Sequence, residues 1–494
     1  MTSFLLRDAR LVDLDGGGTP DRPVDLRIVD GTVAEVGPGL AAEGLVEVAA
    51  DGRWLMPGLW DQHVHLTQWS LTAARLDLAG ARSAAQAVAA VRERLAEWPD
   101  APVIGWGHRP TDWPEDPLVS TLDAIDTDQP VVLIAGDGHH GWLNTTALMT
   151  LALPSREGVV AEGEWFAAYA RLATMLGDDG TGPEAVLRTQ ELAAALGVVG
   201  VTDLEFAGGP DQWIERWEAG AGLLRVRVAT YADGLDDVVE RGLRTGDVLP
   251  GCDERARMGP LKIISDGSLN TRTAWCCDPY TGPSPLGFPH GQPNQTPEEL
   301  RELLRRATAH GLDVAVHAIG DQAVREALDA IAETGAHGSI EHAQLVCRDD
   351  VRRMAELGVT ASVQPAHLVD DRDATDRLWQ GRGHRCFAFR WMLDDGVTLA
   401  LGSDAPVAPL DPWRAIAAAV HRTVDGREPW YAEQAITLRE ALAASTDGRG
   451  TVAAGDPADL VLVDQDPLGD WAARLPAPAV GATWVAGRPA HADM

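Results

Sequence analysis

A chain of 494 residues, 45% of them hydrophobic, is long enough for a large α/β domain with a smaller companion. Its formal net charge of −33, with no basic block anywhere, argues against a general nucleic-acid-binding surface. Five cysteines without a CxxC pair exclude a disulfide-stapled scaffold and read as reduced.

The opening "MTSFLLRDARLVDLDGG" meets acidic residues before any long apolar run, so neither a signal peptide nor a membrane span is expected, and the cytoplasm is the expected compartment. Residues 1–57 read as short strands broken by Gly and Asp. Residues 445–494 have the same texture, as in "GTVAAGDPADLVLVDQDPL". A composite β-sandwich domain built from 1–57 and 445–494 is therefore expected around a core at 58–444. In that core eight apolar runs have strand length: 55–66, 198–206, 223–231, 261–266, 312–319, 338–345, 359–365 and 397–404. Stretches such as "TPEELRELLRRATAH" and "QAVREALDAIAET", with apolar residues three and four apart, read as helices between them. The expected fold class is α/β, a (β/α)8 TIM barrel whose active site lies at the C-terminal strand ends. A stretch at about 70–190, which carries a further apolar run, "PVVLIAG", is read as a large insertion.

Residues able to do chemistry recur at those strand ends. In "PGLWDQHVHL", His63 and His65 are two apart and share a strand face, which makes a chelating pair. Lys262, in "GPLKIISDG", is the only lysine in the chain. Arginine would serve any purely electrostatic role, whereas a primary amine can act as a nucleophile, form a Schiff base or become a carbamate. An ammonium among Leu261, Ile263 and Ile264 would also lose its hydration. His317 in "LDVAVHAIGD", His342 in "GSIEHAQL" and Asp404 in "VTLALGSDAP" each follow an apolar run. Singly, each histidine is as readily a core residue. Gathered on one rim, the set reads as ligands for two divalent metal ions, zinc first, with iron or manganese as alternatives. A Lys262 carboxylated by carbon dioxide would bridge the two ions and remove the ammonium penalty. A hydroxide between them would attack a carbonyl, with Asp404 taking the proton and passing it to the leaving nitrogen. Glu341, next to His342, is expected from strand alternation to point away from the site.

These motifs, with "VHAIGD", "EHAQ", "SVQPAHLVDD" and "GSDAPV", resemble the amidohydrolase superfamily and, within it, the YtcJ-like group or amidohydrolase family 3, over essentially the whole chain. The resemblance implies His63 and His65 on the more buried ion, His317 and His342 on the more exposed one, Lys262 bridging as the carbamate, and Asp404 as ligand and acid/base. It also marks "DGHHGWLNTTAL", "SDGSLNTRTA" and "QPAH" as motifs of the group, and with them His139, Asp266, Arg272, Gln364 and His367 as candidates for binding substrate, Asn144 beside them. Tryptophans such as Trp60 and Trp142, in or beside predicted loops, would suit an apolar acyl group.

The expected activity is hydrolysis of a non-peptide carbon–nitrogen bond in an N-acyl, formyl or cyclic amide. The alternatives are deamination of a heterocycle, a chemistry of one metal and a glutamate acid/base, and ester or lactone hydrolysis. A metal-binding regulatory protein would be expected to lack a ligand or the acid/base, and none is missing. The expected partner is a small-molecule substrate, with a homodimer as the default assembly.

Overall fold

In the computed structural model the described residues are 2–493, apart from 18–21, 74, 109, 111, 112, 137–139, 170, 173–179, 207, 283–286 and 474–476. Eight strands pair in chain order to form a barrel: β1 (Leu59–Val64), β2 (Val198–Asp203), β3 (Arg225–Thr230), β4 (Ala256–Ile264), β5 (Val314–Ala318), β6 (Gly338–His342), β7 (Thr360–Val363) and β8 (Leu399–Leu401). All neighbouring pairs along this path are parallel. Runs rich in Val, Ile and Ala are what strands buried on both faces require. The helices between them carry their own signals. Helix Pro297–Ala309 opens with a capping box from Thr296 and Glu299 and buries Leu300, Leu304 and Ala307 along one stripe. Helix Asp321–Thr334 stops at Gly335 in the left-handed conformation.

The barrel closes between β8 and β1. A parallel bridge joins Val64 to Ala405, His65 N–H donates to Ala405 O at 2.9 Å, and Asp404 N–H donates to His63 O at 2.7 Å. Gly402 makes this seam possible, because a Cβ there would lie 2.7 Å from His63 N.

The apolar run expected as one strand at 55–66 is two. Trp54–Pro57 belongs to another sheet, and the chain passes to β1 at Gly58, where a Cβ would lie 2.1 Å from Val199 Cγ1. Both segments are buried, so hydrophobicity does not mark the change of sheet. That other sheet joins both termini: Phe4–Leu11, Val24–Val29, Thr32–Gly37 and Trp54–Pro57 lie with Leu460–Val463, Val480–Val485 and Arg488–Ala492 in one hydrogen-bonded order. Phe4, Leu6, Leu26, Leu460, Leu462 and Trp484 are among the residues of its core.

Residues Thr67–Thr189 form a separate compact unit. The run "PVVLIAG" supplies its strand Val131–Ala135, the middle strand of a five-stranded sheet. Among the described residues no helix is long and apolar enough to cross a membrane.

Candidate metal centre

The barrel seam assembles the centre. In β1 the register against β2 shifts: Asp61 pairs with Val201 and Val64 with Asp203, three residues matched to two. This is a bulge, and it re-aims side chains at the strand end. His63 and His65 both face Asp404, their Nε2 atoms 3.4 and 3.3 Å from Asp404 Oδ1. Behind them Asp61 Oδ1 accepts from the backbone N–H of His63 at 3.1 Å and of Ser403 at 2.9 Å, tying β1 to β8.

Asp404 and His342 both have positive φ, 59° and 71°, and Ala343 follows at 41°. Residues other than glycine held in this region cost of order 1–3 kcal/mol each and cluster at functional sites. Here the turn brings His342 inward. Its ring lies 5.0 Å from that of His63 and 4.5 Å from that of His317, centroid to centroid. His63, His342 and Asp404 each offer a donor atom, all within 4.8 Å of one another.

Glu341 does not point away. The same break in alternation leaves it inside the barrel beside His342, 1% exposed, with Oε2 2.7 Å from His63 Nδ1 and Oε1 accepting from the Ser339 hydroxyl. With Nδ1–H donated to Glu341, the neutral imidazole keeps its lone pair on Nε2, the atom facing Asp404. Gln364 Nε2 lies 3.4 Å from the same Nδ1 and donates to Ser362 O at 3.3 Å. Below Glu341 the barrel interior is lined by small and polar side chains, among them Gln62, Thr202, Ser339 and Ser362, around a cavity of about 710 Å³. That cavity lies toward the N-terminal strand ends, away from the metal candidates.

Lys262, on β4, is 2% exposed and its Nζ has no hydrogen-bond partner. His317 Nε2 lies 3.4 Å from both Gly267 O and Asp266 Oδ1, which leaves Nδ1 for the centre. His367, at the start of helix His367–Leu378, brings Nε2 within 3.7 Å of Asp404 Oδ2, and that nitrogen too has no hydrogen bond.

The remaining candidates fare differently. Asp266 is fully buried, and its carboxylate accepts from the backbone N–H groups of Ile319, Gly320 and Trp275 at 3.0, 2.9 and 2.8 Å. Its oxygens are committed to the loops beside His317. Arg272 sits half-buried in the turn after Asp266. Asn144 caps helix Thr145–Thr150 in the separate unit, accepting from Ala147 N–H. His139 lies outside the described residues. Trp60 is near the start of β1, under the Arg227 guanidinium, and Trp142 is wholly buried and belongs to the Thr67–Thr189 unit.

Burial sets the charges. It pushes the His317 imidazole down to about 4 and holds His63 and His342 well below the usual histidine range, with an unmodified, charged Lys262 adding to the depression at His63 and His317. The Lys262 amine is itself lowered by burial. Burial raises the carboxyls of Glu341 and Asp61, the latter to about 6. At Asp404 burial acts upward as well, but His63, the bond from His65 and His367 outweigh it and keep the group well below the usual carboxylate range. The result is neutral imidazoles around an ionised aspartate, the donor set a divalent cation requires. The unpartnered Lys262 Nζ beside them fits a modified amine better than a buried ammonium.

The sequence profile of the amidohydrolase family matches residues 46–491. The chain is similar to "Putative amidohydrolase YtcJ" of Bacillus subtilis (strain 168), 28% identical over 464 residues, 85% of this chain and 86% of that one. It is also similar to an N-substituted formamide deformylase of Arthrobacter pascens, 30% identical over 189 residues, 34% of this chain and 35% of that one. Among solved structures, an uncharacterized metal-dependent hydrolase from Pyrococcus horikoshii OT3 superposes with a TM-score of 0.76 at 26% identity, over 96% of this chain and 99% of that one.

Proposed function

The chain belongs to the amidohydrolase family, and from that premise we propose that it hydrolyses a non-peptide carbon–nitrogen bond in an N-acyl, formyl or cyclic amide. The observation that carries this reading is the convergence of His63, His342 and Asp404, with their donor atoms within 4.8 Å of one another. His63, His65, His317, His342 and Asp404 would hold two divalent ions, zinc first, with a carboxylated Lys262 between them. Ions held there supply Lewis-acid polarisation of the carbonyl and lower the pKa of water.

The protein's own groups do the rest. Asp404 Oδ1 is turned toward His63 and His65 while Oδ2 faces His367. Oδ2 is therefore the oxygen that accepts the proton from the attacking water and returns it to the leaving nitrogen. His367 Nε2, which makes no hydrogen bond and lies 3.7 Å from Asp404 Oδ2, would donate to the substrate carbonyl. Glu341 holds His63 in one tautomer and takes no part in the proton transfer.

Deamination of a heterocycle gains one supporting observation, a glutamate inside the barrel. Both oxygens of Glu341 are already engaged, by His63 and Ser339, which favours the positioning role. Elemental analysis of gently purified protein, followed by turnover of N-acyl and cyclic amides before and after chelation, tests the proposal. About two metals per chain with chelator-sensitive hydrolysis is expected. Absence of metal uptake on adding zinc and bicarbonate would overturn it.

A further inference from the structure

Two large apolar side chains stand exposed where the candidate metal residues emerge. Phe206, three residues beyond β2, is 47% exposed, and Val407, three residues beyond Asp404, is 68% exposed. Single exposed apolar residues are ordinary on protein surfaces. These two follow β2 and β8, the strands on either side of β1, and so flank one chemical centre.

Phe206 is held in place. Its ring lies flat on the His65 imidazole, with centroids 4.7 Å apart and planes 9° from parallel. Tyr231 packs beside it at 5.5 Å, fixed by its own hydroxyl donating to Leu204 O at 2.8 Å. The Phe206 backbone N–H donates to Glu205 Oε1 at 2.9 Å. Val407 is tied to the acid/base residue through its N–H, which donates to Asp404 O at 2.8 Å. Fixed apolar surface of this kind, left partly open beside a hydrolytic centre, loses less entropy on binding than a mobile side chain would. It gains most from a ligand that removes it from water.

We propose that Phe206 and Val407 form an apolar subsite that selects substrates carrying an aromatic or branched-alkyl group on one side of the scissile bond. This rests on the reading of the centre as a hydrolytic metal site. A polar substituent would leave the Phe206 ring wet, while a phenyl group extending from a carbonyl bound near His65 would cover it.

The test compares binding of acetohydroxamate and benzohydroxamate to the metal-loaded enzyme by calorimetry. The two chelators share a metal-binding group and differ in apolar area. Benzohydroxamate is expected to bind at least roughly ten-fold tighter. In Phe206→Ala that ratio falls toward one, Phe206→Leu keeps part of it, and Val407→Ser, which does not touch His65, lowers it independently. Metal content measured on each variant separates loss of the wall from loss of the ions. If acetohydroxamate binds but benzohydroxamate binds no better, or if Phe206→Ala and Val407→Ser keep the wild-type ratio, the subsite is overturned and the hydrolytic reading stands. If neither compound binds metal-loaded wild type, the hydrolytic centre fails and the subsite with it.

Discussion

Glu341→Gln and Glu341→Ala test whether this carboxylate positions His63. The contact at issue is His63 Nδ1 to Glu341 Oε2 at 2.7 Å, between groups each about 1% exposed. A hydrogen bond to a charged partner contributes about 1.5–3 kcal/mol and a neutral one about 0.5–1.5. Glutamine keeps an acceptor oxygen but loses the charge, so the difference is about 1–1.5 kcal/mol, or roughly a ten-fold weaker metal affinity. Alanine leaves a buried imidazole N–H with no carboxylate to receive it. That variant is expected to bind about 100-fold more weakly, the upper end for loss of a group that supports a metal ligand. Competition of each variant against a chromophoric chelator at neutral pH measures the affinity, and a thermal melt checks the fold. Turnover per metal-loaded chain distinguishes the roles, because a positioning residue lowers occupancy and leaves that rate largely intact. Wild-type metal affinity in Glu341→Ala would refute the reasoning. So would full occupancy with collapsed turnover, which would make Glu341 an acid/base and favour deamination.

Lys262→Met conserves volume and removes the amine; metal content is expected to fall from about two ions per chain toward one, and ¹³C NMR after labelling with ¹³C-bicarbonate loses the carbamate signal. Full loading of that variant would remove the bridging role. Asp404→Asn is expected to keep the fold and lose turnover by a factor of about 10²–10⁴, read as kcat on metal-loaded protein; an active variant would take Asp404 out of proton transfer. His317, pushed down to about 4 in the folded state from 6.5, is protonated first in the unfolded chain as pH falls, so stability is full above 6.5 and is lost toward 4. The loss in metal-free protein is about 3 kcal/mol from this group alone, and His317→Asn should flatten the fall of denaturant midpoint between pH 7 and 4.5. Asp266→Ala strands the N–H groups of Ile319, Gly320 and Trp275 and is expected to destabilise by about 3 kcal/mol or more; an unchanged midpoint would show those donors finding other partners.

Apolar runs of strand length, several of them separated by helical spacings, made the barrel legible, because a parallel sheet covered on both faces has to be written that way. The same property hid the handover at Gly58. Trp54–Pro57 and β1 are equally buried, so the pattern reports that both are covered and not by which neighbour. The run at Val131–Ala135 is as apolar as any barrel strand but pairs within the Thr67–Thr189 unit. Its partners, Val103–His108 and His140–Leu143, lie nearby in the chain, and periodicity does not encode which runs pair.

At the site, residue type and position at a strand end were enough to single out His63, His65, Lys262, His317, His342 and Asp404. Glu341 escaped because its direction depends on the left-handed turn at His342 and Ala343, a backbone choice with no glycine to announce it. Asp266 is a different case, since a buried aspartate next to such a strand end looks the same in sequence whether it faces a substrate or a ring of backbone donors. What separates the two classes in the structure is hydrogen-bond saturation. Asp266 and Asn144 have their oxygens engaged by neighbouring backbone, as residues that hold a fold do. Lys262 Nζ, His65 Nδ1, His342 Nδ1 and His367 Nε2 are buried and without hydrogen bonds, a cost that a folded chain sustains where something else completes the site. Unsatisfied atoms on several residues of the candidate centre are thus a stronger mark of chemistry than the residue types alone.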